Sequence, residues 1–423
     1  MKQKKLLILG GKPIGSCEIV EYAKSKGIYT IVTDYLPDDL SAAKKTANES
    51  WNFSTGDVEQ LAEAVHEHHV DGIYTGVHEF NIRKMIELCT MTDKPCFCTL
   101  EQWDMLNNKR SFKKLCESHG VPVTREYNAG SIDDIHNAGI NYPVIIKPVD
   151  GSGSRGFHIC TCQEELVNAF PHAAENSQTG GVLIEQYMNY RNSSIINYTL
   201  ADGEIYYCGM SDKHSEKVSD SGAPIMSVQF YPSEYERNYL ENLDGKVKNM
   251  FIDAGLKNGV IWIEAFCNEG EFTFNEAGYR FGGSLTYLPV KYFYGLDQLA
   301  LQVEYAMNGR YTEPVHYAKK DREKLYCILP VHVKPGKICR IHGFDLLEKR
   351  PELIKTVSVH FLGDVIQDWG SAQQVFAYIH FVCDTRERAD DFARWIMHNA
   401  GIFGNNNEEL MFNLYSAGKD MFI

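Results

Sequence analysis

The residues best suited to chemistry begin with a lysine and a glycine-rich loop, Lys147 to Gly156, which reads KPVDGSGSRG. Glycine permits backbone angles that bring several N–H groups close to one anion, and the lysine adds a positive charge for phosphate oxygens. The lysine precedes the glycines, so the segment is not a Walker A loop. Alone, it is as compatible with a flexible surface turn as with phosphate binding.

Two glutamates lie on apolar segments that a turn at residues 268–270 would join into a hairpin. Glu264 lies in IWIEAF and Glu276 in FTFNEA. The hairpin would place both carboxylates on neighbouring strands and on one face. Two such carboxylates repel each other unless a cation lies between them, and hard oxygen ligands beside a phosphate suit magnesium. The alternative is two exposed glutamates, which flanking aromatic residues such as Trp262 disfavour.

An arginine follows directly, in the segment GYRFGGS at residues 278–284. The guanidinium of Arg280 can hold a phosphoryl group or a carboxylate with two hydrogen bonds. The alternative is a structural salt bridge.

The elements that must position these residues fall into three blocks. In the first, strands predicted at 6–9, 29–32 and 72–74 alternate with helices at 14–25, 61–68 and 82–89, which is typical of a parallel sheet. The second has a helix at 111–119 and strands at 142–148 and 181–185; the third has a strand at 377–383 and a helix at 386–399. We predict domains at 1–106, 107–312 and 313–423.

Bulk properties exclude several classes of protein. The 423 residues suit two or three domains, and a net charge of −14 argues against a nucleic-acid binder. No apolar run is long enough for a bilayer, so we expect a cytoplasmic protein without membrane partners. The 12 cysteines include no CxxC pair. We place the pairs Cys96/Cys98 and Cys160/Cys162 on strands, as reduced thiols rather than zinc ligands.

A dinucleotide site is an alternative for the first block. The turn GGKPIG at residues 10–15 follows a strand, and Asp34 ends the next one. The spacing is not G-x-G-x-x-G and Pro13 lies inside the turn, so a tight strand-to-helix turn is the competing interpretation.

Taken in order, these features resemble the ATP-grasp superfamily, and in particular its L-amino acid ligases and carbamoyl-phosphate-synthase-like members. The matching segments are Asn108-Lys109-Arg110, Gly120-Val121-Pro122-Val123, Tyr142 to Lys147 with its glycine loop, Leu183 to Met188, Glu264, and Glu276 to Gly283. The resemblance implies a two-lobed ATP-grasp domain at 107–312, with a lid subdomain at about 120–190, between an N-terminal α/β domain and a C-terminal α+β domain.

The resemblance also implies roles for individual residues. Lys109 and Lys147 would contact ATP phosphates, the loop residues would fold over them, and the strand after Leu183 would bind adenine. The full set of implied ATP contacts is Lys109, Lys147, Ser152, Gly153, Ser154, Gly156, Glu185, Gln186, Tyr187, Met188 and Asn192. Glu264 and Glu276 would bind Mg²⁺. Lys147 and Arg280 would be catalytic, and Glu79, His214 and Arg280 would face substrate, with Asp212 and Lys213 beside them.

The chain departs from the family pattern at two positions. The family often shows Glu-x-Asn-x-Arg at the second metal carboxylate, and Gly278 takes the place of that asparagine. Gly278 has no side-chain oxygen, so the number of bound magnesium ions, one or two, remains open. Asn275 or water could take the place of the missing asparagine ligand. Asn192 takes the place of a glutamate that faces ribose, and an amide can still bond a hydroxyl.

The implied function is an ATP- and Mg²⁺-dependent ligase that joins a small carboxylate to an amine through an acyl-phosphate. The alternatives are a carbamoyl-phosphate-type or bicarbonate-using enzyme and an ATP-binding regulator that has lost catalysis. Which acid and amine are joined depends on pocket shape rather than on motifs. A homodimer is the default expectation for such an enzyme.

Overall fold

The computed structural model describes residues 3–12, 14–150, 156–177, 179–188, 192–217, 224–319, 323–367 and 374–415. Ser152, Gly153 and Ser154 of the predicted phosphate loop lie outside these ranges, as does the side chain of Asn192.

The first block forms a parallel four-stranded sheet. Its strands are β1 (Lys5–Leu9), β2 (Tyr29–Thr33), β3 (Glu49–Trp51) and β4 (Gly72–Thr75), in the order β3-β2-β1-β4. The helices that accompany it are α1 (Ser16–Ser25), α2 (Val58–Glu67) and α3 (Glu79–Met91), with a short 3-10 turn at Asp38–Leu40. The predicted parallel sheet is confirmed, and β3 is an additional strand that its polar start concealed.

A smaller sheet lies in the region predicted as the lid. Its strands are β5 (Glu126–Tyr127), β6 (Val144–Pro148), β7 (His158–Cys160) and β8 (Val182–Gln186), in the antiparallel order β5-β8-β6-β7. Helices α6 (Ile132–Asn137) and α7 (Gln163–Glu175) cover it. Val144, Ile146 and Ile184 are buried against Leu166 in a separate small core, so this sheet has its own hydrophobic support.

A large antiparallel sheet carries the rest of the chain. The strands of its main path are β9 (Asn192–Ala201), β10 (Glu204–Glu216), β11 (Ile225–Tyr231), β12 (Gly259–Asn268), β13 (Glu271–Gly278), β14 (Leu325–Val333), β17 (Leu353–Ser358) and β19 (Val375–Cys383). Their order is β13-β12-β9-β10-β11-β14-β19-β17. The pairing of β11 with β14 carries the sheet across the predicted boundary at 312/313.

The remaining elements complete the central and C-terminal regions. The short strands are β15 (Gly336–Lys337), β16 (Arg340–His342), β18 (Val365–Ile366), β20 (Gly401–Phe403) and β21 (Met411–Phe412). The helices are α4 (Leu100–Asn107), α5 (Lys109–Ser118), α8 (Glu236–Asn242), α9 (Asp244–Asp253), α10 (Tyr287–Tyr294), α11 (Gln298–Asn308), α12 (Phe344–Leu347) and α13 (Arg386–Asn399). Within the described ranges, no helix combines the length and the apolar character needed to cross a bilayer.

Two local features were assigned wrongly from the sequence. Cys96 and Cys98 lie in the loop between α3 and α4 rather than on a strand, and Cys162 is the N-cap of α7, so only Cys160 is on a strand. Pro95 explains the first difference, because it has no N–H to donate to a strand ladder.

Candidate active site

The acidic hairpin forms as the sequence predicts. Glu269 and Gly270 both have positive φ (48° and 87°), which makes the two-residue loop that joins β12 to β13. Glu264 and Glu276 are directly opposed across the two strands, with a register shift just after Glu264. Directly opposed residues point to the same face of a sheet, so both carboxylates enter one site.

Lysines lie against these two carboxylates and offset their negative charges. Lys213 Nζ, on β10, donates to Glu264 Oε1 at 2.7 Å, and Ser193 Oγ donates to the same oxygen at 2.6 Å. Lys109 Nζ, at the first residue of α5, lies 3.3 Å from Glu276 Oε2. Asn108 caps that helix by accepting from the N–H groups of residues 110 and 111. The cap fixes where the helix begins and therefore where Lys109 lies.

The ion pairs outweigh the cost of burial at Glu276. Burial alone would raise the pKa of its carboxyl group, but Lys109 and two neighbouring lysines hold that pKa below its ordinary value. Burial would lower the pKa of Lys109, but Glu276 and other carboxylates raise it overall. Both partners therefore stay charged, which keeps a positive group beside the acidic hairpin.

Lys147 joins the small sheet to the large one. It lies near the end of β6, and its Nζ donates to Asn275 Oδ1 on β13 at 3.0 Å. The same Nζ lies 2.7 Å from Glu185 Oε2 on β8. Backbone bonds reinforce the junction, since the Phe274 N–H donates to the Pro122 carbonyl at 2.8 Å. Lys147 therefore contacts both the hairpin, at Asn275, and its own sheet, at Glu185.

Glu185 is fully buried between two lysines. Its Oε1 accepts from Lys113 Nζ on α5, opposite the contact with Lys147. Burial alone would raise the pKa of Glu185, yet the two ammonium groups hold it below its ordinary value. Both oxygens of Glu185 thus face lysines, and the other predicted adenine contacts lie in the segment after it. There, Gln186 accepts from Tyr127 Oη at 2.8 Å and donates to the Pro143 carbonyl at 3.0 Å.

Tyr187 and Gly156 are the other predicted contacts that the structure describes in detail. Lys217 Nζ lies 5.4 Å from the centroid of the Tyr187 ring, and Met188 follows in the same segment. Gly156 has a φ of 69°, and a Cβ there would come within 2.9 Å of Asn176 and Pro148. Only glycine fits at the end of the predicted phosphate loop.

Arg280 is held against the N-terminal unit. Its Nη2 donates to Glu79 Oε1 at 2.7 Å, and Glu79 is the first residue of α3. The Arg280 guanidinium carbon lies 5.2 Å from the centroid of the Trp262 ring. Arg280 Nε and Trp262 Nε1 are buried without a hydrogen-bond partner among the described residues. Two buried N–H donors, one on Arg280 and one on Trp262 of the hairpin, therefore lie at this place without a partner in the described part of the chain.

Gly278 is required by Trp262. The two residues are opposed across the hairpin, and a Cβ at position 278 would lie 2.4 Å from Trp262 Nε1 and 2.5 Å from Cε2. The indole thus fills the space that an asparagine side chain would need. Indole is a hydrogen-bond donor and has no oxygen to bind a metal, so the departure from the family pattern is built into the packing.

His214 is not brought into this group. Neighbouring residues on a strand point to opposite faces, and while Lys213 faces Glu264, the His214 ring lies 5.9 Å from the Phe230 ring in the C-terminal core. Burial lowers the pKa of His214 to about 4. Asp212 also points away and accepts from Ser233 Oγ at 2.6 Å. The structure therefore does not bring His214 together with Glu264, Glu276 and their lysines.

Sequence reasoning missed Lys113, and left Lys213 without a defined role. Lys113 lies four residues after Lys109 on α5, a spacing that places both on one helical face. That spacing is a signal that could have identified Lys113. The partner of Lys213 is on a non-consecutive strand, and no local pattern indicates it.

The glycine turn of the N-terminal sheet is closed by its own chain. Asp34 Oδ2 accepts from the Gly11 N–H and from Ser41 Oγ, both at 2.8 Å, and Lys44 Nζ lies 3.2 Å from Oδ1. A Cβ on Gly11 would lie 2.2 Å from Ser41 Oγ. Asp34 is thus engaged where a dinucleotide ribose would need it, which disfavours the dinucleotide alternative.

Comparison with known proteins places this geometry in context. Residues 140–287 match the ATP-grasp domain family. The chain is 24% identical over 284 residues to a formate-dependent phosphoribosylglycinamide formyltransferase of Wolinella succinogenes, covering 65% of this chain and 70% of that protein. It is 22% identical over 304 residues to a carbamoyl phosphate synthase large chain of Clostridium botulinum, covering 68% of this chain but only 28% of the synthase.

The fold extends the similarity to nearly the whole chain. A crystal structure of an L-amino acid ligase from Bacillus licheniformis superposes with a TM-score of 0.74 at 16% identity, covering 96% of this chain and 100% of that one. The resemblance to the ATP-grasp superfamily and the predicted mixed α/β and α+β fold are therefore confirmed.

Proposed function

Because this chain carries an ATP-grasp domain, we propose that it is a ligase that uses MgATP to activate a carboxylate as an acyl-phosphate. An amine then displaces phosphate to form a C–N bond, with ADP and phosphate as the other products. The observation that carries the proposal is the meeting of three lysines from different elements with two opposed carboxylates. Lys109, Lys147 and Lys213 lie on α5, β6 and β10, and Glu264 and Glu276 lie on the hairpin.

The lysines provide for the triphosphate. Lys109 and Lys147 contact carboxylate and amide side chains. An incoming polyphosphate offers stronger acceptors of the same kind, so the two ammonium groups can exchange partners without unfolding any strand. The segment 186–188, which begins at the last residue of β8, would bind the base.

The donor set fits magnesium. Two carboxylates on one face, in reach of a phosphate site, are the hard oxygen ligands that this ion prefers. Glu264 and Glu276 would hold it, and a bound Mg²⁺ would neutralise charge that develops on the phosphates. Trp262 fills the space of a further amide ligand, which supports one ion rather than two on the hairpin.

Arg280 would bind the carboxylate of the acid substrate. A substrate carboxylate that displaces Glu79 would gain a guanidinium and the neighbouring unpartnered N–H groups of Arg280 and Trp262. The proposed reaction requires an oxygen of this carboxylate to face the phosphate held by the lysines. The N-terminal unit contributes Glu79, the present partner of the arginine.

A second candidate is an enzyme that activates a very small acid, such as bicarbonate or formate. Two observations favour it. The names of the sequence relatives include a formate-dependent enzyme and a carbamoyl phosphate synthase, and the bulky Trp262 lies directly beside Arg280.

The test is an ADP-release assay with MgATP over amino acids singly and in pairs, with bicarbonate and formate in separate arms. Release that depends on both an acid and an amine supports the ligase. Release with bicarbonate or formate alone selects the second candidate. Calorimetry with ADP and Mg²⁺ runs in parallel: binding without turnover of any pair indicates a regulator, and absence of binding to folded protein overturns the proposal.

A further inference from the structure

Lys113 and Glu185 form a cluster with Lys147, and the proposed reaction by itself requires only Lys147 of the three. Glu185 is 0% exposed, and each of its two oxygens faces one ammonium group. The three side chains come from α5, β8 and β6, so the cluster lies between the helix and the small sheet.

The two lysines differ in what else they contact. Lys113 Nζ donates to Glu185, to Thr124 Oγ1 and to the Thr124 carbonyl, the last at 3.1 Å. An ammonium group has three N–H donors, so all of those of Lys113 are used inside the protein. Lys147 instead reaches across to Asn275 on the hairpin, beside the metal carboxylate.

The charges of the cluster do not cancel. Two ammonium groups share one carboxylate, which leaves one positive charge in a largely buried place. A buried net charge is unfavourable until it meets a counter-ion. Without Lys113, Lys147 and Glu185 would form a neutral pair, and the attraction of this site for an anion would fall.

We propose that Lys113 is a positioning residue that balances Glu185, so that Lys147 keeps a net positive charge for the nucleotide phosphates. The inference rests on the proposed function, since it needs a phosphate ligand at Lys147. Lys113 has no donor left for that ligand and acts only through Glu185. Helix α5 thereby serves the site twice, with Lys109 against Glu276 and Lys113 against Glu185.

The test measures ADP affinity by calorimetry in the presence of Mg²⁺, on the full chain. We expect Lys113→Met to weaken ADP binding about 10- to 100-fold, because Glu185 would then neutralise Lys147 and weaken its charge-assisted contact with the phosphates. The double variant Lys113→Met/Glu185→Gln should recover most of this loss, because Lys147 is again unbalanced by any carboxylate. A purely structural role for Lys113 predicts no such recovery.

The matched control is Lys114→Met. Lys114 is the next residue on the same helix, and it is exposed, so it removes the same charge from the protein without touching the cluster. Its ADP affinity should equal that of the unaltered protein. Equal affinity of Lys113→Met and Lys114→Met overturns the inference, as does a double variant that binds no better than Lys113→Met.

A further variant decides the matter if Lys113→Met does not fold. Lys113→Gln keeps N–H donors for Thr124 but carries no charge, so it should weaken ADP binding by about the same factor as Lys113→Met, and unchanged affinity overturns the inference. If the unaltered protein binds no ADP, the proposed function fails, and this outcome is distinct from failure of the inference.

Discussion

In two regions of this molecule lysines lie against carboxylates, and the two regions differ in the other acceptors that those lysines contact. In the N-terminal sheet, Lys44 has a fully buried side chain and donates to the carbonyls of Asp34 and Leu36 and to Asn52 Oδ1. In the hairpin region, Lys109 and Lys213 are 11% and 25% exposed and face the side chains of Glu276 and Glu264.

The difference is in the kind of acceptor. Backbone carbonyls are fixed by the strand and turn that carry them, so Lys44 and Asp34 form a closed network that shapes a loop. Side-chain carboxylates at a partly open surface can rotate, and a metal and a polyphosphate can take the place of each partner. We infer that a closed network contributes mainly to stability and an open one mainly to binding.

The largest expected effect breaks the open network. Lys147→Ala and Glu276→Ala should each abolish nearly all ADP release, because one removes the proposed phosphate contact and the other the proposed metal ligand. The assay is single-turnover and steady-state ADP release on protein shown to be folded by circular dichroism. Glu271→Ala, an exposed glutamate on the same strand, is the control and should keep full activity. Near-normal turnover in folded Glu276→Ala would contradict the metal assignment.

Breaking the closed network should affect folding instead. Lys44→Met leaves Asp34 buried without its ammonium partner, and we expect a loss of about 3–5 kcal/mol in the free energy of unfolding. Urea denaturation measures it, and Lys45→Met, an exposed neighbour, is the control. ADP affinity of the folded fraction should not change. A Lys44→Met protein that is stable but fails to bind ADP would reverse the roles assigned to the two networks.

Gly278→Asn tests whether the Trp262 ring fills the space of a further metal ligand. The new side chain must displace the Trp262 ring, and we expect about 1–3 kcal/mol of destabilisation from overpacking. Gly283→Asn, where a Cβ meets nothing within 4 Å, is the control. The double variant Gly278→Asn/Trp262→Ala should regain stability in thermal denaturation. If Gly278→Asn alone melts at the temperature of the unaltered protein, the indole does not occupy that space.

The smallest effect concerns stability of the open network and its dependence on pH. The pKa of Glu276 in the folded protein lies below its ordinary value. Its contribution to stability is therefore present above about pH 4.3, the unfolded value, and is lost as pH falls through the folded pKa. Glu276→Gln should cost only about 1 kcal/mol at pH 7, and the difference should stay constant down to about pH 4.3 and shrink as the pH falls further. A difference that does not shrink below about pH 4.3 would show that the charge is not involved.

Local sequence signals located the hairpin and the N-terminal sheet. The turn at Glu269 and Gly270 and the apolar residues around each glutamate are all within a few positions of one another, so the register Glu264–Glu276 follows from short-range rules. The same holds for helix α13, whose bounds match the predicted ones.

The partners of those residues could not be read in this way. Lys113 and Glu185 are 72 residues apart, and Arg280 and Glu79 are 201 apart, so their pairing depends on how helices and sheets pack. The Trp262 indole packs against Gly278 across the hairpin, and this contact is compatible with the sequence but could not be predicted from it. Adjacent positions also misled, since Lys213 and His214 lie next to each other but face opposite sides of β10.

The bond between β11 and β14 has a consequence for any attempt to work with part of the chain. A protein truncated at residue 312 would leave β11 as an exposed edge, with a row of unsatisfied N–H and C=O groups next to the strands that carry Lys213 and Ser193. Such edges recruit strands from other molecules, so the shortened protein should associate into insoluble material. Pairing with β14 thus protects an edge of the sheet that carries the acidic hairpin.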